Sequence, residues 1–133
     1  MADTIFTKII KGEIPCYKIA ENDKFFAFLD ISPLAPGHTL VVTKLQNDYI
    51  FDLPDDMLAE MIVFAKKIAV GMKKVLPCAR IGVAVIGVDV PHTHIHLVPI
   101  NGSGDLDFKA KRAELTPEQF TDIAAKIANA VEL

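Results

Sequence analysis

The chain has no tryptophan and only two cysteines, Cys16 and Cys78, in 133 residues. The two thiols are far apart and form no CxxC pair, which excludes a disulfide framework and a cysteine-rich zinc site. A reducing, cytoplasmic setting is expected. A charge excess is also missing: 14 basic against 17 acidic residues give a net −3. The basic side chains are scattered rather than clustered, so long nucleic acid is not an expected partner. The longest apolar stretch, Ile81 to Val88, is far short of the ~20 residues that span a bilayer. Lys8, Lys11 and Glu13 interrupt the segment from Met1 to Pro15, so neither a membrane anchor nor an export signal is expected. There is no internal repeat or low-complexity linker, and Asn101-Gly102-Ser103-Gly104 reads as a loop inside one domain over residues 1–133.

The residues that are present divide into a few elements. Lys8 to Gly12 has the character of a short helical turn. From Tyr17 to Thr43 the pattern is that of two or three antiparallel strands, with Asn22-Asp23 as a turn. Ser32 to Gly37 reads as a loop in which Pro36-Gly37 suits the centre of a type II turn. Pro54 with Asp55 and Asp56, and Lys73 and Lys74 before Pro77, bracket one long helix. Its stripe of Met57, Met61, Phe64, Ala65, Ile68 and Met72 is the spacing of core packing. Two further strands, Ile81 to Ile86 and His92 to Val98, are expected to pair through a short loop at Gly87. Thr116 and Gln119 form a capping-box pattern ahead of Phe120, Ile123, Ala124, Ile127 and Val131, which predicts a C-terminal helix. The expected class is α+β: an antiparallel sheet of about five strands with one long central helix and a C-terminal helix.

Three of the four histidines fall at i, i+2 and i+4 in His92-Thr93-His94-Ile95-His96. A strand would aim all three at one face and Thr93, Ile95 and Leu97 at the other. A metal is one reading, but His92 and His96 would stand roughly 13 Å apart at about 3.3 Å per residue, so at most two could share one tetrahedral ion. Nucleophilic catalysis is a second: a neutral imidazole attacks phosphorus while its neighbours fix its tautomer and handle protons, with His94 best placed to attack. A row of histidines with only structural hydrogen bonds is the third.

The segment His92-Thr93-His94-Ile95-His96-Leu97-Val98 resembles the signature of the histidine triad, or HIT, family. Two further stretches are similar to its nucleoside phosphoramidase branch: Asp3 to Pro15, and Phe26-Ala27-Phe28-Leu29-Asp30-Ile31-Ser32-Pro33 followed by Pro36-Gly37-His38-Thr39-Leu40-Val41-Val42. The resemblance implies a homodimeric hydrolase that needs no cofactor or metal. In it His94 attacks the α-phosphorus of a purine nucleotide or nucleoside phosphoramidate, and water hydrolyses the nucleotidyl-histidine. It further implies that His92 and His96 orient His94, and that His38 joins the row. Asp30 would hold the ribose hydroxyls, and Ile5, Phe6, Ile9, Phe28 and Ile31 would wall the purine pocket.

Departures from the family pattern are local. Gly87-Val88-Asp89-Val90-Pro91 stands where members commonly carry Gly-Gln, and Val88 has no amide to offer a phosphate. Asp89 would repel an anion unless it faces solvent. Ile81 to Ile86 lacks the Asn-rich loop usual before that glycine, Thr4 and Thr7 replace a CxxC zinc pair found in some relatives, and Ile100 follows Pro99 where many members have Arg. Slow or redirected turnover is expected. A dinucleoside polyphosphate hydrolase and a nucleotide-binding regulatory module with little catalysis are the alternatives.

Overall fold

Each turn residue in the first half of the chain does a specific job in bringing strands together. The computed structural model describes residues 2–133; Met1, which the single-domain reading includes, lies outside them. Asn22 accepts the N–H groups of Lys24 and Phe25 on its side-chain oxygen, and so turns β1 (Lys18–Glu21) into β2 (Phe25–Leu29). The N–H of His38 donates to the carbonyl of Ala35, closing a turn with Gly37 at φ 97°. A side chain at Gly37 would be strained there and would meet Leu76 at 2.5 Å. That turn launches β3 (Thr39–Thr43).

β4 (Arg80–Ala84) and β5 (His94–Ile100) complete one five-stranded antiparallel sheet in the order β1-β2-β3-β5-β4. The expected α+β class and the pairing of the last two strands hold. Their bounds do not: β5 begins at His94 rather than His92, and the connection is a long loop over 85–93. The cause is local, since the N–H of His92 donates to the carbonyl of Val90 and that of Thr93 to the carbonyl of Asn47, both off the ladder. The first helix also starts earlier than Lys8. Thr4 caps α1 (Ile5–Ile10) by accepting the N–H of Thr7, and Gly12 at φ 81° ends the segment.

The sheet is covered on both faces. Ile19, Phe25, Leu29, Val41, Ile95 and Leu97 pack on α2 (Asp55–Val75) and α3 (Pro117–Ala130), which contribute Met61, Phe64, Ile68, Met72, Phe120 and Ile127. α3 starts with the Thr116–Gln119 capping box, both of whose hydrogen bonds form. On the opposite face Phe26, Phe28, Leu40 and Val42 pack on Phe6 and Ile9 of α1. Across the ladder His94 pairs with Val42 and His96 with Leu40, so both imidazoles join this second face.

Ile68, in the middle of the α2 stripe, is fully buried. Ile68→Ala should cost roughly 2–5 kcal/mol in a denaturant titration. A loss below about 1 kcal/mol would show that the helix does not rest on this residue.

Candidate active site

Burial forces each imidazole to find a partner, and those partners fix the tautomers. His38 and His92 are 0% exposed, His94 6% and His96 9%. His92 Nε2 lies 2.6 Å from the carbonyl of Thr43, so it carries the proton and donates. Its Nδ1 is then an acceptor for the Thr4 hydroxyl at 2.6 Å. Gln46 ties this corner down: its side-chain oxygen accepts the Thr7 hydroxyl at 2.7 Å and the Thr4 N–H at 3.1 Å.

His94 Nδ1 lies 2.7 Å from the carbonyl of His92 and donates to it, which leaves the lone pair of Nε2 uncommitted. The remaining two rings form a directed chain. The N–H of Leu34 donates to His38 Nδ1 at 3.0 Å, so His38 Nε2 bears the proton and donates to His96 Nδ1 at 3.0 Å. His96 Nε2–H is then a free donor. Burial is the main cause holding His38 down to about 3 and His96 to about 4, with Arg112 adding to both, next to His96 for the first ring and His94 for the second. Burial also lowers His92. His38 and His96 are therefore neutral at physiological pH, and His92 is pushed in the same direction.

A cavity of about 430 Å³ opens on this row, lined among others by Ile5, Phe6, Asp30, His94 and His96. The Phe6 ring stands edge-on to His94 at 5.0 Å and to His92 at 5.7 Å. His38 lies behind His96, and Phe28 backs Phe6 at 5.7 Å, with Ile9 in the same layer. Asp30, one residue beyond β2, accepts the Ser32 N–H on Oδ1 at 2.8 Å. Its Oδ2 stands 3.6 Å from His38 Nε2, and burial raises its pKa. Ile31 does not line the cavity and is 73% exposed.

Two groups deserve comparison with metal sites. Asp30, His38 and His96 place donor atoms within 4.8 Å of one another. His38 Nε2 could ligate only by shedding its proton to Nδ1, which already faces the Leu34 N–H, so the trio does not offer the lone pairs an ion needs. Thr4, Thr7 and Gln46 present neutral oxygens already committed to hydrogen bonds, and they lack the thiolates of a structural zinc site.

Val88 and Asp89, the departures that the sequence places near the phosphate, do line the cavity, whereas Val90 from the same loop and Phe108 and Arg112 from the segment after β5 carried no signal in the sequence. Phe108 stands edge-on to His96 at 4.7 Å. Thr4 did carry a signal, as a capping residue just ahead of an apolar run.

A family model described as the HIT domain matches residues 11–102. An uncharacterized HIT-like protein of Borreliella burgdorferi is 33% identical over 136 residues, covering 96% of this chain and 98% of that protein. The adenosine 5'-monophosphoramidase hnt1 of Schizosaccharomyces pombe is 31% identical over 131 residues, covering 96% and 98%. The crystal structure of a Hit-like protein from Bartonella henselae superposes with a TM-score of 0.82 at 32% identity, covering 97% of this chain and 96% of that one.

The buried His38–His96 pair makes stability depend on pH. His38 and His96 titrate at about 3 and 4 in the fold against an ordinary 6.5. Between those values the unfolded chain binds more protons, so their contribution is complete above 6.5 and is lost as pH falls through the folded values. Asp30, raised by burial, works in the opposite sense as a single group against two. Thermal midpoints should therefore fall steadily from pH 6.5 towards 4; a flat profile would mean that the pair is not buried neutral.

Proposed function

We propose that this chain, which belongs to the HIT family, cleaves purine nucleoside phosphoramidates at the α-phosphorus through a nucleotidyl-histidine intermediate on His94. The observation that carries this reading is the 2.7 Å contact between His94 Nδ1 and the carbonyl of His92. It holds the ring in the tautomer whose Nε2 lone pair is available to an electrophile in the cavity. A similar chain of nearly the same length is named as an adenosine 5'-monophosphoramidase, which supports the substrate class.

In this scheme His94 Nε2 forms a bond to phosphorus as the phosphorus–nitrogen bond breaks, and the amine leaves with a proton taken from solvent. The ring becomes cationic, and the His92 carbonyl accepts a stronger hydrogen bond from Nδ1–H. His96 Nε2–H donates to the phosphoryl oxygens, kept in that tautomer by His38. Water then attacks phosphorus and gives up a proton to solvent, the electron pair of the breaking phosphorus–nitrogen bond returns to Nε2, and nucleoside monophosphate is released. Asp30 Oδ2 accepts a ribose hydroxyl, and Ile5 and Phe6 flank the base, with Ile9 and Phe28 behind and Ile31 exposed beside Asp30.

A second copy of the chain is the reading for the apolar surface next to the site. β4 is an edge strand, and Val83, Val85, Ile86 and Ile62 are exposed near it. A groove of about 740 Å³ runs from Ile62 and Phe51 to Thr93 and His94. A homodimer covers this surface. Sedimentation should give twice the chain mass, and Ile62→Glu should shift it to the monomer; a monomeric wild type removes the dimer.

One observation favours binding with little turnover: Val88 is 81% exposed and offers no amide, while Asp89 brings a carboxylate to the cavity. Intact mass spectrometry of protein quenched during turnover of an adenosine phosphoramidate separates the two. The expected result is a one-nucleotide adduct that disappears in His94→Ala, with turnover falling by several orders of magnitude. Nucleotide binding without adduct or product would leave the binding module standing.

A further inference from the structure

We propose that Arg112 binds the anionic phosphoryl group of the substrate, an inference that rests on reading the cavity as a nucleotide site. The cavity is short of positive charge. Among its described lining residues are two carboxylates, Asp30 and Asp89, and two histidines, His94 and His96, while Arg112 is the one Lys or Arg side chain. His96, held at about 4, stays neutral at physiological pH and supplies no charge of its own. A phosphoramidate anion entering this space needs a cation, and Arg112 is the side chain that provides it.

Arg112 is anchored in a way that keeps its charge available. Its Nη1 donates to the carbonyl of Ser32 at 2.8 Å and its Nη2 to the carbonyl of Phe108 at 3.2 Å. Both partners are neutral, and none of the ion pairs within 4.0 Å among the described residues includes Arg112. Of the five N–H donors of a guanidinium, these two bonds leave three for a ligand. The group also lies 5.6 Å from the centre of the Phe108 ring, which itself stands 4.7 Å from His96. A cation–π contact with that ring holds the guanidinium beside the histidine row. The charge is felt across the site, since Arg112 acts to lower His38, His96 and Asp30 alike.

Phe108 and Arg112 therefore form a clasp that the segment between β5 and α3 folds over the histidines. It covers the His38–His96 pair with an aromatic ring and supplies the charge that the loop at Val88 and Asp89 does not. Lys at position 112 would keep the charge but lose the planar fork and one of the two carbonyl bonds.

Titration of AMP and of adenosine into the wild type, Arg112→Gln and Arg112→Lys, with the thermal midpoint of each variant recorded, tests the proposal. Arg112→Gln should weaken AMP at least about tenfold and leave adenosine within about twofold, because only AMP carries the anion. Arg112→Lys should recover part of the loss. Wild-type affinity for AMP in Arg112→Gln overturns the role of Arg112 while leaving the nucleotide reading intact. So does an equal loss of AMP and adenosine, which makes Arg112 a support for the loop. Should Arg112→Gln unfold, Arg112→Lys decides: AMP weakened while adenosine is unchanged supports the proposal, and wild-type affinity for both ligands, or an equal loss of both, overturns it. A wild type that binds neither ligand overturns the nucleotide reading and this inference with it.

Discussion

Four imidazoles buried on one face of a sheet leave eight ring nitrogens to be satisfied away from bulk water, where an unpaired polar group costs about 1–3 kcal/mol. Protonation does not solve the problem, because burial penalises the charged form more than the neutral one. His38, His92 and His96 are thereby held toward the neutral form, in which a ring has one donor and one acceptor nitrogen. Once a main-chain carbonyl or N–H faces one nitrogen, the role of the other is set. Thr43 does this for His92, the carbonyl of His92 for His94, and Leu34 for His38, which passes the constraint on to His96.

The backbone that supplies these partners comes from distant parts of the chain. Leu34 and His38 sit on either side of the Pro36-Gly37 turn, so the geometry at Gly37 is also the geometry of the histidine chain. Thr43 ends β3, and the residues that follow it reach back through Gln46 to the cap of α1. The cap residue Thr4 both starts a helix and donates to His92. Fold and site share these bonds, and a change in one is felt in the other.

Chemistry follows from direction. The row presents one bare lone pair, at His94 Nε2, and one free donor, at His96 Nε2–H, on the same side of the sheet. A bare lone pair beside a free donor is the arrangement on which the proposed displacement at phosphorus rests. The same tautomers make the trio of Asp30, His38 and His96 a poor place for a cation.

The periodic parts were legible in the sequence: strand character between Tyr17 and Thr43, where it left two or three strands open, the α2 stripe from Met61 to Met72, the Thr116 capping box, and Ile95 and Leu97 facing away from His94 and His96. These depend on residues a few positions apart, where side-chain direction is fixed by the backbone period. The sequence also singled out His94, because a repeat of histidine every second residue is visible in one line of text. The placement of His92 before β5 rather than in it was decided by the carbonyls of Val90 and Asn47, the second of which is remote in the chain. Tertiary structure alone decided which nitrogen of His92 and of His96 carries the proton, since their partners at Thr4, Thr43 and His38 lie 49 to 88 residues away. It alone brought Phe108 and Arg112 to the histidines, because their contacts to His96 and Ser32 arise from how the segment after β5 folds back, and no spacing in the sequence encodes that return.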